Sequence, residues 1–340
     1  MVNIGIVGCG GITNYHASYL KDIDDANVVA LCDINPQAIE KMREQVGPAA
    51  GYEHVEDLLE YDSLDAVMIG TPTYLHAEPA IAALQAGKHT FVEKPITRTM
   101  DQCDAVLAAA EASSATLTVG FVRRYDADWG TMAKIVTENQ VGRPVIWRCM
   151  AGHGRPGVAW FNDHDKGGGP LMDGAVHNYD FLLQRMFGPA KRVLAVGVQW
   201  DHEANRCLDT GSVIVEFESG DQWVSVWSWG GKPGGASGAH NDIIGPLGGV
   251  TSGLTPEQQP PGFDPEAQGG YFVGAADNAH AEVFTKQDMF ANQMAYWIQT
   301  CQGKNEPLAT GEHGKQALQL ALAVLEAMRT HGEVDVASIA

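Results

Sequence analysis

The fold is decided at the start of the chain, by residues 2–13, VNIGIVGCGGIT. The apolar run is typical of a buried strand, and Gly8, Gly10 and Gly11 lie between it and a helical pattern. Strand, glycine loop and helix in this order are the context of the dinucleotide-binding fingerprint G-x-G-x-x-G. There the first glycine allows a tight turn and the second lets the backbone approach a pyrophosphate. Thr13 occupies the third glycine position.

A carboxylate, Asp33, follows the next predicted strand, Val28–Cys32, and lies 23 residues after Gly10. A carboxylate at this position accepts hydrogen bonds from the adenosine ribose hydroxyls and repels a 2′-phosphate. No arginine adjoins it in residues 34–36. The sequence therefore predicts a preference for NAD(H) over NADP(H), although the aspartate could also simply begin a turn before Pro36.

The first third of the chain alternates strand-like and helix-like segments. The predicted strands are Ile4–Val7, Val28–Cys32, Ala66–Ile69, Thr90–Val92 and Leu117–Val119, and helical patterns cover Ala77–Ala86 and Met100–Ala112. This alternation predicts βαβ units and a doubly wound parallel sheet, the Rossmann architecture, in a domain spanning residues 1–122.

The pattern changes after about Phe121. The predicted strands are Val145–Cys149, Val193–Val198, Ser212–Phe217 and Trp223–Trp227, and the predicted helices are Asp173–Phe187, Gln287–Cys301 and Glu312–Thr330. We therefore expect an α+β domain over residues 123–340, with a mostly antiparallel sheet and flanking helices. Residues 230–270 hold twelve Gly and six Pro and predict no regular element, only a surface loop, a lid or an interface arm.

Composition excludes several classes of protein. The 340 residues carry 22 Lys and Arg against 42 Asp and Glu, a net charge of −20, so binding of nucleic acid or of an anionic membrane is not expected. The six cysteines form no C-x-x-C pair, which indicates a reducing compartment rather than a disulfide framework. With no signal-like N-terminus and no apolar run of about 18 residues, we expect a cytoplasmic protein without a membrane span.

Three residues are candidates for chemistry. Lys94 lies in the run Glu93-Lys94-Pro95, which directly follows a predicted strand, and ligands of open α/β sheets bind outside the carboxyl ends of strands. Asp173 and His177 are four residues apart and would share one face of a helix, where a carboxylate can orient an imidazole that accepts a hydroxyl proton. A strand-end lysine and a helix-capping aspartate are the alternatives, and glycines 167–169 weaken the second by indicating a close approach to the backbone.

Together these motifs resemble those of the Gfo/Idh/MocA oxidoreductase family. The resemblance extends along nearly the whole chain and is carried by Gly8–Thr13, Thr71–His76, Ala86–Pro95, Gly120–Asp126, Gly167–Asp180 and Thr310–Glu312. It implies a Rossmann domain followed by an α+β domain with an open-faced sheet. In this family that sheet commonly mediates homodimers or homotetramers, and the substrates are mostly sugars and cyclic polyols.

The resemblance also implies roles for individual residues. The catalytic group would be Lys94, Asp173 and His177. The expected cofactor-binding residues are Gly8, Gly10, Gly11, Ile12, Asp33, Thr71, Pro72, Thr73, His76, Glu93, Lys94 and Arg123. The expected substrate-binding residues are Lys94, Arg124, Tyr125, His153, Arg155, Trp160, Asp173 and His177, and residues 163–166 could line the same pocket. No metal site is expected, because no zinc-type His/Cys spacing is present.

The implied activity is NAD-dependent oxidation of a secondary hydroxyl, a CH–OH group, of a small carbohydrate or inositol-like polyol. His177 would remove the proton and Lys94 would stabilise the developing alkoxide, or these roles would be exchanged, while Asp173 orients the imidazole or a second hydroxyl. The alternatives are a redox-neutral glycosidase- or lyase-type enzyme that retains NAD, an aldose oxidoreductase with tightly bound cofactor, and a non-catalytic NAD-dependent sensor. The D-x-x-x-H spacing has the dehydrogenase form.

Overall fold

The computed structural model describes residues 1–203, 205–231 and 239–340, apart from the side chain of His153. The strands are β1 (Val2–Val7), β2 (Ala26–Cys32), β3 (Ala50–Tyr52), β4 (Ala66–Ile69), β5 (His89–Val92), β6 (Leu117–Val119), β7 (Ile146–Gly154), β8 (Ala190–Val198), β9 (Thr210–Phe217), β10 (Gln222–Gly231), β11 (Ala239–Gly245), β12 (Gly248–Ser252), β13 (Gln268–Gly274), β14 (His280–Thr285) and β15 (Glu333–Asp335). The α-helices are α1 (Gly11–Leu20), α2 (Pro36–Val46), α3 (Val55–Leu59), α4 (Ala77–Gln85), α5 (Met100–Ala112), α6 (Ala127–Thr137), α7 (Val176–Phe181), α8 (Met289–Cys301) and α9 (Gly311–Thr330). None of the helices in these ranges is both long enough and apolar enough to cross a bilayer.

The chain divides into two units. The first consists of residues 1–122 and 289–318, and the second of the described residues in 123–288 and 319–340. The first unit contains a six-stranded sheet of order β3-β2-β1-β4-β5-β6, in which all pairs are parallel. The predicted doubly wound parallel sheet is therefore confirmed. The strand order reverses between β1 and β4, the type of crevice where ligands of such sheets bind.

The segment 289–318 belongs to the first unit, whereas the sequence-based division keeps residues 123–340 together. Helix α8 explains the difference, because Met294 and Trp297 are buried in the same hydrophobic core as Ile4 and Phe91. The rings of Trp297 and Phe91 lie 5.3 Å apart. From the sequence, the apolar face of α8 indicates that this helix packs against a hydrophobic core, but not which unit provides that core.

The second unit contains a nine-stranded sheet of order β14-β13-β12-β11-β7-β10-β9-β8-β15. Only the β7–β10 pair is parallel, and the other neighbours in this described sheet are antiparallel. The helices α6, α7 and part of α9 belong to the same unit. The predicted mostly antiparallel sheet with flanking helices is confirmed.

The prediction that residues 230–270 contain no regular element is wrong for the described part of that stretch. Strands β11, β12 and the first residues of β13 lie there, while residues 232–238 fall outside the described ranges. Gly248 shows why glycine is used, since its φ is +146° and a Cβ on it would lie 2.2 Å from the carbonyl carbon of Gly274. Here glycine allows a tight β11–β12 turn and a close strand approach rather than breaking the sheet.

Candidate active site

In the glycine loop between β1 and α1, a side chain would collide with the protein at position 8 but not at positions 10 and 11. Gly8 has a φ of +87°, and a Cβ on it would lie 2.8 Å from the backbone nitrogen of Thr71. At Gly10 and Gly11 a Cβ would meet no described atom within 4 Å. A cavity of about 580 Å³ adjoins the loop and is lined by Cys9, Gly10, Gly11, Asn14, Asn35, Gln37, Ala38, Lys41 and Gln45. The loop is thus bare where a phosphate would approach it, which fits a dinucleotide.

Thr13, in the third glycine position of the fingerprint, is fully buried. Its hydroxyl donates to the carbonyl oxygen of Gly8 and also lies 3.2 Å from that of Gly10. Its methyl group points at Gly70, the residue after β4. Thr13 therefore fits in place of glycine, and its hydroxyl stabilises the loop through these contacts.

Asp33 connects the end of β2 to the glycine loop. One carboxylate oxygen accepts the Cys9 backbone N–H at 2.7 Å, and the other accepts the Asn35 N–H at 2.8 Å. Asn35 in turn caps α2 by accepting the N–H of Gln37 at 3.0 Å. Asp33 thus begins the turn before α2, and because a carboxylate oxygen has more than one lone pair it retains capacity for ribose hydroxyls.

Glu93 anchors the backbone of Lys94 at the end of β5. The Glu93 carboxylate accepts the Lys94 N–H at 3.0 Å with Oε2 and contacts His16 Nε2 at 2.6 Å with Oε1. Burial raises the pKa of Glu93, but the hydrogen bond from His16 and the charge and N–H of Lys94 outweigh it and hold the pKa below its usual range. Sequence reasoning missed His16, since no local pattern links residues 77 positions apart.

His76 joins the Thr71–His76 segment to the residue after Lys94. Its ring is buried, with Nδ1 2.8 Å from the carbonyl oxygen of Pro95 and Nε2 2.9 Å from that of Thr71. The ring therefore lies between two backbone carbonyl oxygens and connects the Thr71–His76 segment to Pro95. Thr73 is buried in the same segment, while Thr71 and Pro72 are half-buried.

Asp173 and His177 lie in the second unit, on two different kinds of turn. Asp173 is buried in a π-helical turn, Pro170–Gly174, and the half-buried His177 lies in the first turn of α7. The helical stretch predicted at about Asp173–Phe187 is present, but only α7 is α-helical within it: a second π-helical turn, Leu182–Met186, follows α7. Such interruptions of the α-helical ladder are frequent at functional sites.

The glycines before Asp173 are explained by protein neighbours. A Cβ on Gly167 would lie 2.7 Å from the Cα of Phe161, and one on Gly169 would lie 2.7 Å from Cys207 Sγ. Gly174 packs in the same way against Trp227. These glycines let the turn that carries Asp173 lie close to its neighbours, so the glycine run by itself does not indicate a ligand.

The two adjacent arginines have different environments. Arg123 donates to Asp126 at 2.6 Å, and its guanidinium carbon lies 4.8 Å from the ring centroid of Trp129. Arg124 forms a buried bidentate pair with Asp180, at 2.8 and 2.5 Å. Asp180, three residues after His177 on α7, was not among the predicted site residues, and the pair fixes α7 to the chain just before α6. The next residue, Tyr125, is half-buried.

The remaining predicted substrate residues lie around β7 and the loop after it. Arg155 donates to Asp201 at 2.7 Å, and Trp160 stacks on Phe161 with ring centroids 3.8 Å apart. The side chain of His153 lies outside the described residues. Asp163 accepts the backbone N–H of Asp165. The described residues contain no group of three or more His, Cys, Asp and Glu able to hold a metal ion.

The loop that carries Asp201 is organised by a buried carboxylate, Asp209. It accepts the backbone N–H groups of Trp200 and Asp201, each at 3.0 Å, and the amide of Asn205 at 2.7 Å. Burial raises the pKa of Asp209, but these hydrogen bonds outweigh it and hold the pKa below its usual value. Asp209 thereby supports the partner of Arg155.

Comparison with known proteins agrees with this arrangement. Residues 2–121 match the family described as oxidoreductase family, NAD-binding Rossmann fold, and residues 129–250 match the GFO/IDH/MocA C-terminal domain. The chain belongs to the Gfo/Idh/MocA oxidoreductase family. The predicted family, the Rossmann fold and the dehydrogenase class of enzyme are thereby confirmed.

Two curated Gfo/Idh/MocA relatives and one solved structure illustrate the similarity. The myo-inositol 2-dehydrogenase of Thermotoga maritima is 26% identical over 99% of this chain and 99% of its own. The scyllo-inositol 2-dehydrogenase (NAD(+)) of Bacillus subtilis is 28% identical over 64% of this chain and 65% of its own. The crystal structure of the WlbA dehydrogenase from Bordetella pertussis, in complex with NADH and UDP-GlcNAcA, has a TM-score of 0.79 at 23% identity and covers 98% of each chain. That last likeness concerns the fold alone.

Proposed function

We propose that this protein is an NAD-dependent dehydrogenase that oxidises a secondary hydroxyl of an inositol-like cyclic polyol or a sugar. One observation within the first unit carries the proposal: the glycine loop, Asp33 and Lys94 all follow the carboxyl ends of parallel strands of one sheet, β1, β2 and β5. Ligands of such sheets bind at that edge. The full-length similarity to an inositol dehydrogenase supports the substrate class.

The proposed cofactor is NAD rather than NADP. The carboxylate of Asp33 is held at the glycine loop by the Cys9 N–H, in a position suited to accept hydrogen bonds from ribose hydroxyls and to repel a 2′-phosphate. The remaining residues proposed for cofactor binding are Gly8, Gly10, Gly11, Ile12, Thr71, Pro72, Thr73, His76, Glu93, Lys94 and Arg123. Of these, His76 would act by shaping its segment, because both ring nitrogens bond to backbone carbonyls.

The proposed chemistry divides between cofactor and protein. The bound nicotinamide supplies the acceptor for the hydride. His177 accepts the hydroxyl proton, Lys94 donates a hydrogen bond to the same oxygen and stabilises its growing negative charge, and Asp173 orients the imidazole. The residues proposed to contact substrate besides these three are Tyr125, His153, Arg155 and Trp160. Arg124 would serve indirectly, since its buried pair with Asp180 fixes the helix of His177.

We further propose that the protein forms homodimers or homotetramers through the second sheet. Leu194, Val196 and Val198 alternate along β8, and Leu194 pairs across to Ile214 on β9. All four side chains are at least 40% exposed. An apolar sheet face of this kind suits burial against a second copy. Sedimentation analysis of the wild type and of Val196→Lys tests this, and a monomeric wild type contradicts it.

The state of the six cysteines supports a proposal about the cellular compartment of the protein. All are free thiols, and five are buried. We propose a reducing compartment, the cytoplasm, in which such thiols persist. Fractionation of cells that express the intact protein, with a cytoplasmic marker, would test this, and recovery outside the cytoplasm would contradict it.

The activity is tested by NADH formation at saturating NAD with inositols, hexoses, pentoses and anhydrosugars. We expect steady NADH formation with a cyclic polyol or sugar, and a loss of about 10²- to 10⁴-fold in kcat for Lys94→Ala and His177→Ala. Lys88→Ala is the matched control, because Lys88 precedes the opposite end of β5 and donates to the carbonyl oxygen of Leu64. Near-full turnover in Lys94→Ala, with NAD binding intact by calorimetry, would reject the proposal.

A further inference from the structure

A chain of two hydrogen bonds runs from the middle of α1 to the backbone of Lys94. His16, fully buried in α1, lies with Nε2 2.6 Å from Glu93 Oε1. The other oxygen of the same carboxylate, Oε2, accepts the backbone N–H of Lys94 at 3.0 Å. The helix that opens at the glycine loop is therefore tied directly to the backbone of the lysine.

The surroundings of this pair are apolar. The ring of His16 meets Phe91 edge-on at 5.5 Å and lies 5.7 Å from Phe290 of α8. In such a low-dielectric environment a carboxylate depends on its hydrogen-bond donors, and removing one donor leaves a costly buried charge. Glu93 has His16 and the Lys94 N–H as donors, so neither is a dispensable contact.

The Glu93 carboxylate also packs closely against Gly120. A Cβ on Gly120, the residue after β6, would lie 2.9 Å from Glu93 Oε1 and 3.1 Å from Oε2. The carboxylate is thus enclosed by α1 on one side and by the strand end of β6 on another. Its position, and with it the position of the Lys94 N–H, is set by tertiary contacts rather than by β5 alone.

The other side of Lys94 is anchored as well. Its neighbour Pro95 accepts a hydrogen bond from the buried His76 through its carbonyl oxygen, at 2.8 Å. Lys94 therefore lies between two residues, Glu93 and Pro95, that are each held by a buried histidine from a different part of the first unit. A backbone held at both neighbours fixes the position and direction from which the Lys94 side chain extends.

We infer that His16 is a positioning residue for Lys94: by donating to Glu93 it fixes the carboxylate that holds the Lys94 backbone and so aims the ammonium group. This inference rests on the proposed role of Lys94 in turnover. It predicts that His16 affects kcat, because the lysine acts on the reacting oxygen. Its effect on NAD affinity is smaller, because His16 touches the proposed cofactor-binding residues only through Glu93 and does not line the cavity beside the glycine loop.

The structural half of the inference is tested by residue-resolved amide hydrogen exchange at Lys94. His16→Phe removes the donor and suits the apolar surroundings, His16→Gln keeps a donor, and His89→Phe is the control. His89 bonds to Thr116 beside the opposite end of the first unit's β5. We expect exchange at Lys94 to be faster by about tenfold or more in His16→Phe, partly restored in His16→Gln and unchanged in His89→Phe. Unchanged exchange in His16→Phe overturns the inference.

The functional half is tested by a double-mutant cycle. We expect kcat to fall by about 10- to 100-fold in His16→Phe, the calorimetric Kd for NAD to rise by a smaller factor, and no further fall in kcat when His16→Phe is added to Lys94→Ala. A full additional loss in the double variant, or an unaltered kcat in His16→Phe, overturns the inference. If Lys94→Ala itself keeps full turnover, the proposed function fails. Amide exchange at Lys94 then still tests the hydrogen bonds from His16 and the Lys94 N–H to Glu93. Should His16→Phe not fold, His16→Leu, which also removes the donor, takes its place in both measurements.

Discussion

The methyl group of Thr13 occupies the space that a side chain at position 70 would need: a Cβ on Gly70 would lie 2.4 Å from Thr13 Cγ2. Thr13 belongs to α1 and Gly70 follows β4, so the contact joins the two halves of the sheet at the point where the strand order reverses. A larger residue in the fingerprint is thereby matched by a smaller one on the facing loop.

This contact predicts that Gly70→Ala destabilises the protein, by about 1–3 kcal/mol in the free energy of unfolding, because the buried site is overpacked. Thr13→Ser removes the methyl group and keeps the hydroxyl that bonds to the Gly8 carbonyl. The double variant Thr13→Ser/Gly70→Ala should therefore recover most of the loss in urea unfolding. Equal instability of the single and the double variant would show that another contact is responsible.

Asp33→Asn should shift the cofactor preference toward NADP. The substitution keeps an acceptor oxygen but removes the charge that repels a 2′-phosphate, while Lys41 remains in the lining of the cavity beside the glycine loop. We expect the ratio of kcat/KM for NAD to that for NADP to fall by about tenfold or more. Asp24→Asn, which removes an exposed carboxylate in the same unit, is the control, and an equal shift there would refute a local effect.

Gly174→Ala should impair turnover without affecting NAD binding. A Cβ at Gly174 would lie 2.9 Å from Trp227 Nε1 and 3.1 Å from Trp229 Cζ2, and the residue separates Asp173 from the helix of His177. Displacing this turn should lower kcat by about 10- to 100-fold.

The matched control for that variant is Gly130→Ala, in the interior of α6. A Cβ there meets no described atom within 4 Å, so alanine should stabilise the helix by about 0.5–1 kcal/mol and leave kcat unchanged. Steady-state kinetics and thermal unfolding of both variants give the comparison. Normal kcat in Gly174→Ala would mean that this turn does not set the catalytic geometry.

We expect the second unit to lose stability in acid, because the ionised carboxylate of Asp209 stabilises it. Its pKa is lowered in the folded state because the hydrogen bonds from Trp200 and Asp201 outweigh burial. The stabilisation is therefore present above the unfolded pKa of about 3.9 and is lost as pH falls through the lower folded value.

We expect wild type to exceed Asp209→Asn by about 1–3 kcal/mol in unfolding free energy near neutral pH, and the gap to narrow below about pH 4. Denaturant unfolding across this pH range measures it. Asp277→Asn, at an exposed position in the same unit, is the control. A gap that stays constant into strong acid would mean that the ionised form of Asp209 is not the stabilising one.

The sequence by itself determined the class of fold and the positions of the main chemical motifs. Short continuous apolar runs specify β1, β4 and β5. The sharp turn after β1 requires a positive φ at position 8, which glycine adopts readily. These signals are local, because they depend on which residues neighbour each other along the chain. Lys94 and Asp33 could be singled out for the same reason, since Asp33 directly follows β2 and Lys94 is the second residue after β5.

Only the tertiary structure decided what surrounds those motifs. His16 and Glu93 are 77 residues apart, and Arg124 and Asp180 are 56 residues apart. No local sequence pattern could therefore predict either pair. The glycine-rich strands β11 and β12 form because neighbouring strands supply hydrogen bonds that outweigh a weak local propensity. Burial and pairing depend on which distant segments meet in space, and that physical condition is set by the folded chain as a whole.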